Sequence, residues 1–377
     1  MVARSRGSKS PAVVVGDMDL VRAVGLAGMR PTLAAPADEP GRYSRFVSGW
    51  IDATRADLVD ALVAHADESP EPPLLFLQTD RALQLVSDAR TRLLPAYRVR
   101  LPNAGMLGEL LDKSRFGALA GRLDLPVPAS RRVRPGIDPG LGDLRLPLVV
   151  KPLVRDRRWF DAVGWHKALR VEDAAGWERV RPRLAALDLV VQELVPGGEE
   201  RIESHHAYIG AGGEVLGEFT GRKLRTRPAE FGMSTALITT ANADVRALGR
   251  DVLDSLGIAG PVKLDFKRDP DGRLWLLEVN PRFTLWAHLG ALAGVNIPAL
   301  AAADLAGRPA AAGAARPGVR WCELRQDAAA VREAGGSLGR WAGFALRAEA
   351  RSAIHLDDPM PTLRGKLWPR IAGRGAR

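Results

Sequence analysis

The sequence predicts an α/β protein that opens with a parallel-sheet unit and continues in α+β lobes, and three observations carry that expectation. Residues 11–100 alternate short apolar runs with stretches of helical spacing, the pattern of strands joined by crossover helices. Residues 261–283, PVKLDFKRDPDGRLWLLEVNPRF, read as two strands about a tight turn. Two more apolar runs, at 146–150 and 189–191, end in Lys151-Pro152 and Gln192-Glu193, and a cation at the tip of a buried strand is rarely there for packing.

Taken in order, Ala12-Val13-Val14-Val15-Gly16 is a buried strand, and 17–28 places Leu20, Val21, Val24 and Ala27 at helical spacing. A second strand is expected at 31–35, a helix at 57–65 on Leu58, Leu62 and Val63, and a third strand at 74–77 that ends at Gln78-Thr79-Asp80. Such a sheet binds ligands at the carboxyl ends of its strands. Gly16-Asp17 sits at one of these ends without a G-x-G-x-x-G pattern, so a tight strand-to-helix turn is expected there and no dinucleotide site. A helix over 107–123 contains Asp112-Lys113 and stops at Leu125-Pro126-Val127-Pro128.

Beyond the strand at 146–152, residues 153–161 form a basic loop, Trp165-His166-Lys167 begins a returning strand, and 172–187 is a helix. The run Leu189-Val190-Val191-Gln192-Glu193-Leu194-Val195 leads into Pro196-Gly197-Gly198-Glu199. Antiparallel strands follow over 201–224, with a turn at 210–214, and lead to Arg222-Lys223-Leu224-Arg225. After Val295 the pattern loosens: 301–318 is an Ala/Gly/Pro-rich helix end and linker. Residues 320–377, with Trp321, Trp341, Trp368 and Asp357-Asp358-Pro359-Met360-Pro361, read as a small appendage with no chemistry of its own.

Composition bounds the function classes. A chain of 377 residues, 46% hydrophobic and 26% charged, is long enough for two or three domains around a large core. One cysteine, Cys322, excludes an intramolecular disulfide and a thiolate metal cage, and a cytoplasmic setting is expected. No segment has the apolar length to span a bilayer, and the basic start of the chain leads straight into a strand. The net charge of +10 invites a nucleic-acid reading. Its arginines are scattered along the chain and no recognition-helix, zinc-finger or RNA-binding pattern accompanies them, so none is expected. Against so many arginines only eight lysines occur, which marks each lysine as a position where Arg does not substitute.

The chemistry concentrates in the hairpin. Val262 to Lys267 alternates apolar and charged residues, so Asp265 shares a face with Lys263 and Lys267, while Glu278 shares one with Asn280. Asp269-Pro270-Asp271-Gly272 supplies the turn. Pairing of the strands brings Asp265, Glu278 and Asn280 together as hard oxygen donors suited to Mg²⁺. For Asp265 alone a solvated acid is the plainer reading, whereas Glu278 at the end of Leu-Trp-Leu-Leu is costly to bury without a partner. The histidines show no metal-ligand spacing.

Asp265 followed by Glu278-Val279-Asn280-Pro281-Arg282-Phe283 resembles the metal-binding signature of the ATP-grasp superfamily. The resemblance covers about 105–300 well and the first domain more loosely. It implies a basic tail (1–10), a Rossmann-like pre-ATP-grasp domain (11–104), a two-lobed ATP-grasp fold (105–300, with a mobile lid about 126–192) and a linker with an appendage (301–377). It further implies ATP with Mg²⁺, or Mn²⁺, held by Asp265, Glu278 and Asn280, and phosphates met by Lys113, Lys151 and Lys223. The hinge through Gln192, Glu193, Leu194 and Val195 then meets adenine, and Glu199, with Glu200 as the fallback, meets ribose. Arg282, with Arg225, steers an anionic substrate.

On local residues alone Lys113 is a solvated helix lysine and either Glu a solvated turn acid. The loop at 153–161 departs from the superfamily's usual glycine-rich loop. Arginine side chains in place of backbone amides, or a flexible basic lid tip, both fit it. The pattern is most similar to carboxylate–amine ligases of the D-aspartate-ligase and carbamoyl-phosphate-synthase-like kind. The implied activity is amide or peptide bond formation between small carboxylate and amine substrates through an acyl-phosphate. A kinase acting on a hydroxyl and a non-catalytic ATP-binding regulator stay open beside it, as does a homodimer.

Overall fold

The structure, a computed structural model, describes residues 10–137, 141–164, 166–352, 355 and 357–367. The expected basic tail (but for Ser10), Trp165 and Trp368 lie outside these residues. Strands β1 (Ala12–Val15), β2 (Thr32–Ala35), β3 (Gly49–Asp52) and β4 (Leu74–Leu77) form a wholly parallel sheet in the order β3-β2-β1-β4. Strands β1, β2 and β4 are buried throughout, as their unbroken apolar runs require. β3 was not expected. Gly-Trp-Ile-Asp is a short, half-exposed edge strand with no apolar alternation to announce it. Helices start where short polar side chains cap them: Asp17 accepts from the Asp19 amide and Thr79 from that of Ala82.

A second sheet, antiparallel in the order β5-β8-β6-β7, is built from β5 (Ser130–Val133), β6 (Leu148–Pro152), β7 (Leu169–Val171) and β8 (Leu189–Glu193). It spans the stretch expected to be the lid and has its own core around Trp159, Trp177 and Val191. Truncating a fully buried aromatic such as Trp159 costs about 3–5 kcal/mol.

The structure differs from the sequence reading at several boundaries. The helix expected over 107–123 is two, Ala104–Leu111 and Lys113–Arg122, broken at Asp112. There Asp112 leaves helical geometry and its carboxylate accepts the amides of Ser114 and Arg115, because Asp favours a cap over a helix interior. Half of the expected loop 153–161 is helical, Arg157–Val163, capped by Asp156. The returning strand starts at Leu169 rather than at 165–167. The helix expected over 172–187 is Ala174–Leu184, capped by Asp173.

The third sheet is the largest, in the order β13-β12-β9-β10-β11-β14-β15. It comprises β9 (Ile202–Ile209), β10 (Val215–Arg227), β11 (Met233–Thr240), β12 (Gly260–Arg268), β13 (Leu274–Asn280), β14 (Arg320–Cys322) and β15 (Ala350–Arg351). The β12–β13 turn closes through Gly272, at φ 88, whose amide donates to the Asp269 carbonyl (3.1 Å); that left-handed geometry favours glycine. The expected appendage is instead part of this sheet: β14 pairs with β11, and β15 lies parallel to β14. Its Asp358, buried, accepts from Ser44 Oγ (2.8 Å), the Arg45 amide (2.9 Å) and Arg22 Nε (3.4 Å), which fastens it to the first domain. One apolar core runs from Val14, Leu20 and Phe76 to Phe219, Trp286 and Trp321, so the first and third sheets share it. No single helix among the described residues is long and apolar enough to cross a membrane.

Candidate active site

Two adjoining cavities lie where the three sheets meet. The first, about 380 Å³, sits between the second sheet and the β12–β13 hairpin and is lined by Lys113, Lys151, Gln192, Leu194, Glu199 and Lys223. The second, about 870 Å³, extends over the carboxyl ends of β1, β2 and β4 and is lined by Asp17, Gln78, Arg81, Lys263 and Arg282. Lys223, Asp265, Glu278 and Asn280 belong to the walls of both, as do Asp80, Arg155, Lys167 and Gly232.

Strand register builds that shared wall. Asp265 stands opposite Glu278 on one side and Ser204 on the other, and Lys263 stands opposite Asn280. Asp265 is 3% exposed. It accepts from Ser204 Oγ and, at 2.5 Å, from Lys263 Nζ. Burial alone raises its pKa, but Lys263 and Lys223 reverse this and hold the carboxyl well below the usual range. Glu278 is exposed to the cavity. Asn280 Nδ2 donates to Glu278 Oε1 (3.0 Å), and its Oδ1 accepts from Arg282 Nη2 (3.1 Å). Among the described residues no three of His, Cys, Asp and Glu are grouped to hold a metal ion. The set here is two carboxylates and an amide, and each oxygen keeps a further lone pair. Hard donors of this kind, with room beside them for phosphate and water, fit Mg²⁺.

The lysines converge on the same place. Lys113 Nζ donates to the carbonyls of Pro152 (2.7 Å) and Leu153 (3.3 Å), so it ties the start of the 153–156 segment to the first cavity, and burial lowers its pKa. Lys151 Nζ donates to Gln192 Oε1 (2.7 Å); burial first, then the Lys113 charge, pulls it down to about 8 against the pull of Glu278. Lys167, which the sequence reading placed in a strand and gave no role, is likewise lowered to about 8 by burial, Arg155 and Lys223. Its scarcity as a residue type was the only signal that could have found it.

The hinge residues separate. Gln192 and Leu194 line the first cavity, whereas the Glu193 carboxylate turns out to Arg145, with contacts of 2.9–3.2 Å, and Val195 is buried. The amides of Glu193 and Leu194 donate to the carbonyls of Ala129 and Pro147 (2.9 Å each), so these two expected donors are already engaged within the second sheet. Glu199 faces the first cavity and Glu200 does not.

The two arginines part ways as well. Arg282 Nε reaches Asp80 Oδ1 (2.5 Å) and its Nη1 the Gln78 carbonyl (2.9 Å), at the floor of the second cavity. Arg225 is not in either wall. A bulge pairs Lys223 with Leu237 and Arg225 with Ala236, so Leu224 is the extra residue and the two cations leave on opposite faces. Arg225 makes a two-pronged pair with buried Asp327 (Nε 2.8 Å, Nη2 2.6 Å) and stacks on Phe344. The structure thus places Arg225, expected beside the substrate, outside both cavities and against the C-terminal segment. In the second cavity, a Cβ on Gly16 would fall 2.2 Å from Gln78 Oε1, and glycine lets Gln78 clasp the Asp17 amide and carboxylate. Burial and Asp19 push that carboxyl up to about 7.

Comparison with known proteins gives a consistent answer. Residues 222–326 match the family model described as "ATP-grasp in the biosynthetic pathway with Ter operon". The chain is 29% identical over 203 residues to a D-alanine–D-alanine ligase of Alkalilimnicola ehrlichii, covering 50% of this chain and 61% of that protein. The alignment thus spans under two thirds of that relative. The ADP complex of purK, an N5-carboxyaminoimidazole ribonucleotide synthetase, superposes with TM-score 0.64 at 15% identity, over 84% of this chain and 82% of its own. The L-amino acid ligase from Bacillus licheniformis does so with TM-score 0.57 at 17% identity, over 80% and 75%. Residues 222–326 thus resemble an ATP-grasp family, and the fold of the chain is similar to that of these synthetases and ligases.

Proposed function

We propose that this protein is an ATP-dependent ligase that joins a small carboxylic or amino-acid substrate to an amine, forms an amide or peptide bond, and releases ADP and phosphate. One observation carries the reading: the wall common to the two cavities holds Asp265, Glu278 and Asn280 beside Lys223. A nucleotide in the smaller cavity therefore turns its terminal phosphate towards a substrate in the larger one. The ADP complex of a neighbour of the same fold and the ligase names of the relatives support it.

In this reading Lys113 and Lys151 hold phosphate oxygens, Gln192 and Leu194 with the backbone of the Glu193–Val195 stretch enclose the base, and Glu199 takes the ribose hydroxyls. Asp265, Glu278 and Asn280 would hold Mg²⁺, or Mn²⁺ by the same donor chemistry, and the ion would supply neutralisation of phosphate charge. Arg282 orients the substrate carboxylate and Lys223 faces the transferring phosphoryl group. A carboxylate oxygen attacks the γ-phosphorus, the bond to the β,γ-bridging oxygen breaks, and ADP leaves. The neutral amine then attacks the acyl carbon and phosphate departs. Closure of the second sheet keeps water from the acyl-phosphate.

The test is phosphate release from ATP and Mg²⁺ across amino acids supplied singly and in pairs. Release that requires a carboxylate together with an amine supports the ligase. Phosphate transferred to a lone hydroxyl compound makes it a kinase, and nucleotide binding without release on any pair contradicts the ligase reading.

A further inference from the structure

Between Lys151 and Gly164 the chain has no glycine, so the flexible amide nest that usually wraps a polyphosphate cannot form there in the usual way. Two cations occupy the corresponding place. Arg155 and Lys167 are in the walls of both cavities, beside Lys223 and Glu278. Arg155 is exposed and Lys167 half-buried.

Their positions are fixed by one anchor. Trp159 is fully buried in the core of the second sheet, and its Nε1 donates to the His166 carbonyl (2.7 Å). Its amide donates to Asp156 Oδ1 (3.2 Å), which caps the helix Arg157–Val163. Arg155 directly precedes that cap and Lys167 directly follows the carbonyl that Trp159 holds. Trp159 therefore ties down both ends of the segment, one by its indole and the other by its amide, and sets the two cations over the shared wall. Lys113, bonded to the Pro152 and Leu153 carbonyls, secures the near end.

On the reading of this protein as an ATP-grasp ligase, we propose that Arg155 and Lys167 form a side-chain clamp for the terminal phosphate of ATP in place of a glycine-rich loop. A cationic pair suits this role, since Arg donates in a fork to a tetrahedral anion and Lys adds a compact charge. Because the clamp sits on the second sheet, its closure depends on the third phosphate being present. It thereby makes the site selective for triphosphate over diphosphate, which favours ADP release after transfer.

The experiment is calorimetric titration of the full chain with Mg²⁺ and either ADP or the β,γ-imido analogue of ATP. Wild type, Arg155→Ala/Lys167→Met and Lys167→Arg are compared. The expected result is that wild type prefers the triphosphate analogue and that the double variant loses about tenfold or more of that preference. Its ADP affinity stays within about threefold of wild type, and Lys167→Arg keeps most of the preference. A double variant with the wild-type ratio overturns the clamp, and so does one that loses both ligands equally. Should wild type bind neither nucleotide, the ATP-grasp ligase reading itself fails and the clamp with it. Circular dichroism of the double variant establishes that it is folded.

Discussion

Lys263 and Asp265 lie two residues apart on β12, and the ammonium of one meets the carboxylate of the other at 2.5 Å with both side chains buried. Glu278 stands opposite Asp265 on β13 and is exposed to the cavity. Two acids proposed for one metal thus differ in what their removal does to the fold. Glu278→Gln is expected to abolish turnover, by about 10³-fold or more, and to leave the melting temperature close to wild type. Asp265→Asn is expected to abolish turnover and also to lower the melting temperature, because it leaves the Lys263 charge buried without its partner. Thermal unfolding of the two variants beside phosphate release checks the contrast; equal melting temperatures contradict it.

Arg225 and Asp327 give the opposite case. Asp327 is wholly buried and also accepts from Thr235 Oγ1 (2.7 Å) and Trp341 Nε1 (3.0 Å). Removing Arg225 strips the only formal positive charge bonded to it among the described residues. Arg225→Ala is expected to cost stability near the low end of roughly 3–5 kcal/mol, since the neutral donors Thr235, Trp341 and Cys322 remain. The KM for substrate is expected to stay within about threefold of wild type. Urea unfolding together with substrate kinetics measures both. A large KM change with unaltered stability contradicts this and favours a substrate role for Arg225.

The lysine pKa values set a pH dependence. Lys151 and Lys167 are each lowered to about 8 from 10.5, mainly by burial. Between about pH 8 and 10.5 the unfolded chain binds more protons at these groups than the folded one, so their contribution makes the ligand-free protein more stable as pH rises through that window. Bound phosphate favours the charged ammonium and raises both values. Nucleotide affinity is therefore expected to fall as pH goes from 7 to 9, with uptake of about one proton at pH 8.5. Calorimetry in buffers of different ionisation enthalpy reads the proton count, and Lys151→Met is expected to reduce it. Absence of uptake contradicts the assignment of these lysines to phosphate.

What the sequence made legible was local. The hairpin was readable because strand alternation, turn residues and acid spacing all fall within residues 261–283. The scarcity of lysine was readable too: Lys113, Lys151, Lys167, Lys223, Lys263 and Lys267 all line one or both cavities. What stayed hidden depends on distant partners. No residue near Leu224 announces a bulge that is defined by register against β11, and on that bulge rests the difference between Lys223 and Arg225. Lys167 owes its place to the Trp159–His166 bond and not to its own neighbours in sequence. The C-terminal segment read as an appendage because its anchors, Arg22 with Asp358 and Arg225 with Asp327, join residues 336 and 102 positions apart. The break at Asp112, by contrast, was within reach, since Asp ahead of Lys-Ser is a helix-cap pattern.

The Asp358 anchor makes a further expectation. Asp358→Ala removes the acceptor of Ser44, Arg45 and Arg22 and leaves the Arg22 guanidinium buried without its carboxylate. Amides of residues 357–367 and of the Ser44–Arg45 turn are then expected to exchange faster by at least about tenfold, while those of β12 and β13 keep their protection. Hydrogen exchange read by mass spectrometry distinguishes this from uniform destabilisation, in which all three regions accelerate together.

In the proposed reaction a substrate carboxylate takes the γ-phosphoryl group at the wall shared by Lys223, Asp265, Glu278 and Asn280. That step is followed with a carboxylate–amine pair that supports phosphate release, the carboxylate labelled in both oxygens with ¹⁸O. Attack through a carboxylate oxygen followed by amide formation must leave one labelled oxygen in the phosphate. The expected result is one ¹⁸O atom per phosphate released, and none from the Glu278→Gln variant. Unlabelled phosphate formed alongside amide product would contradict the proposed route.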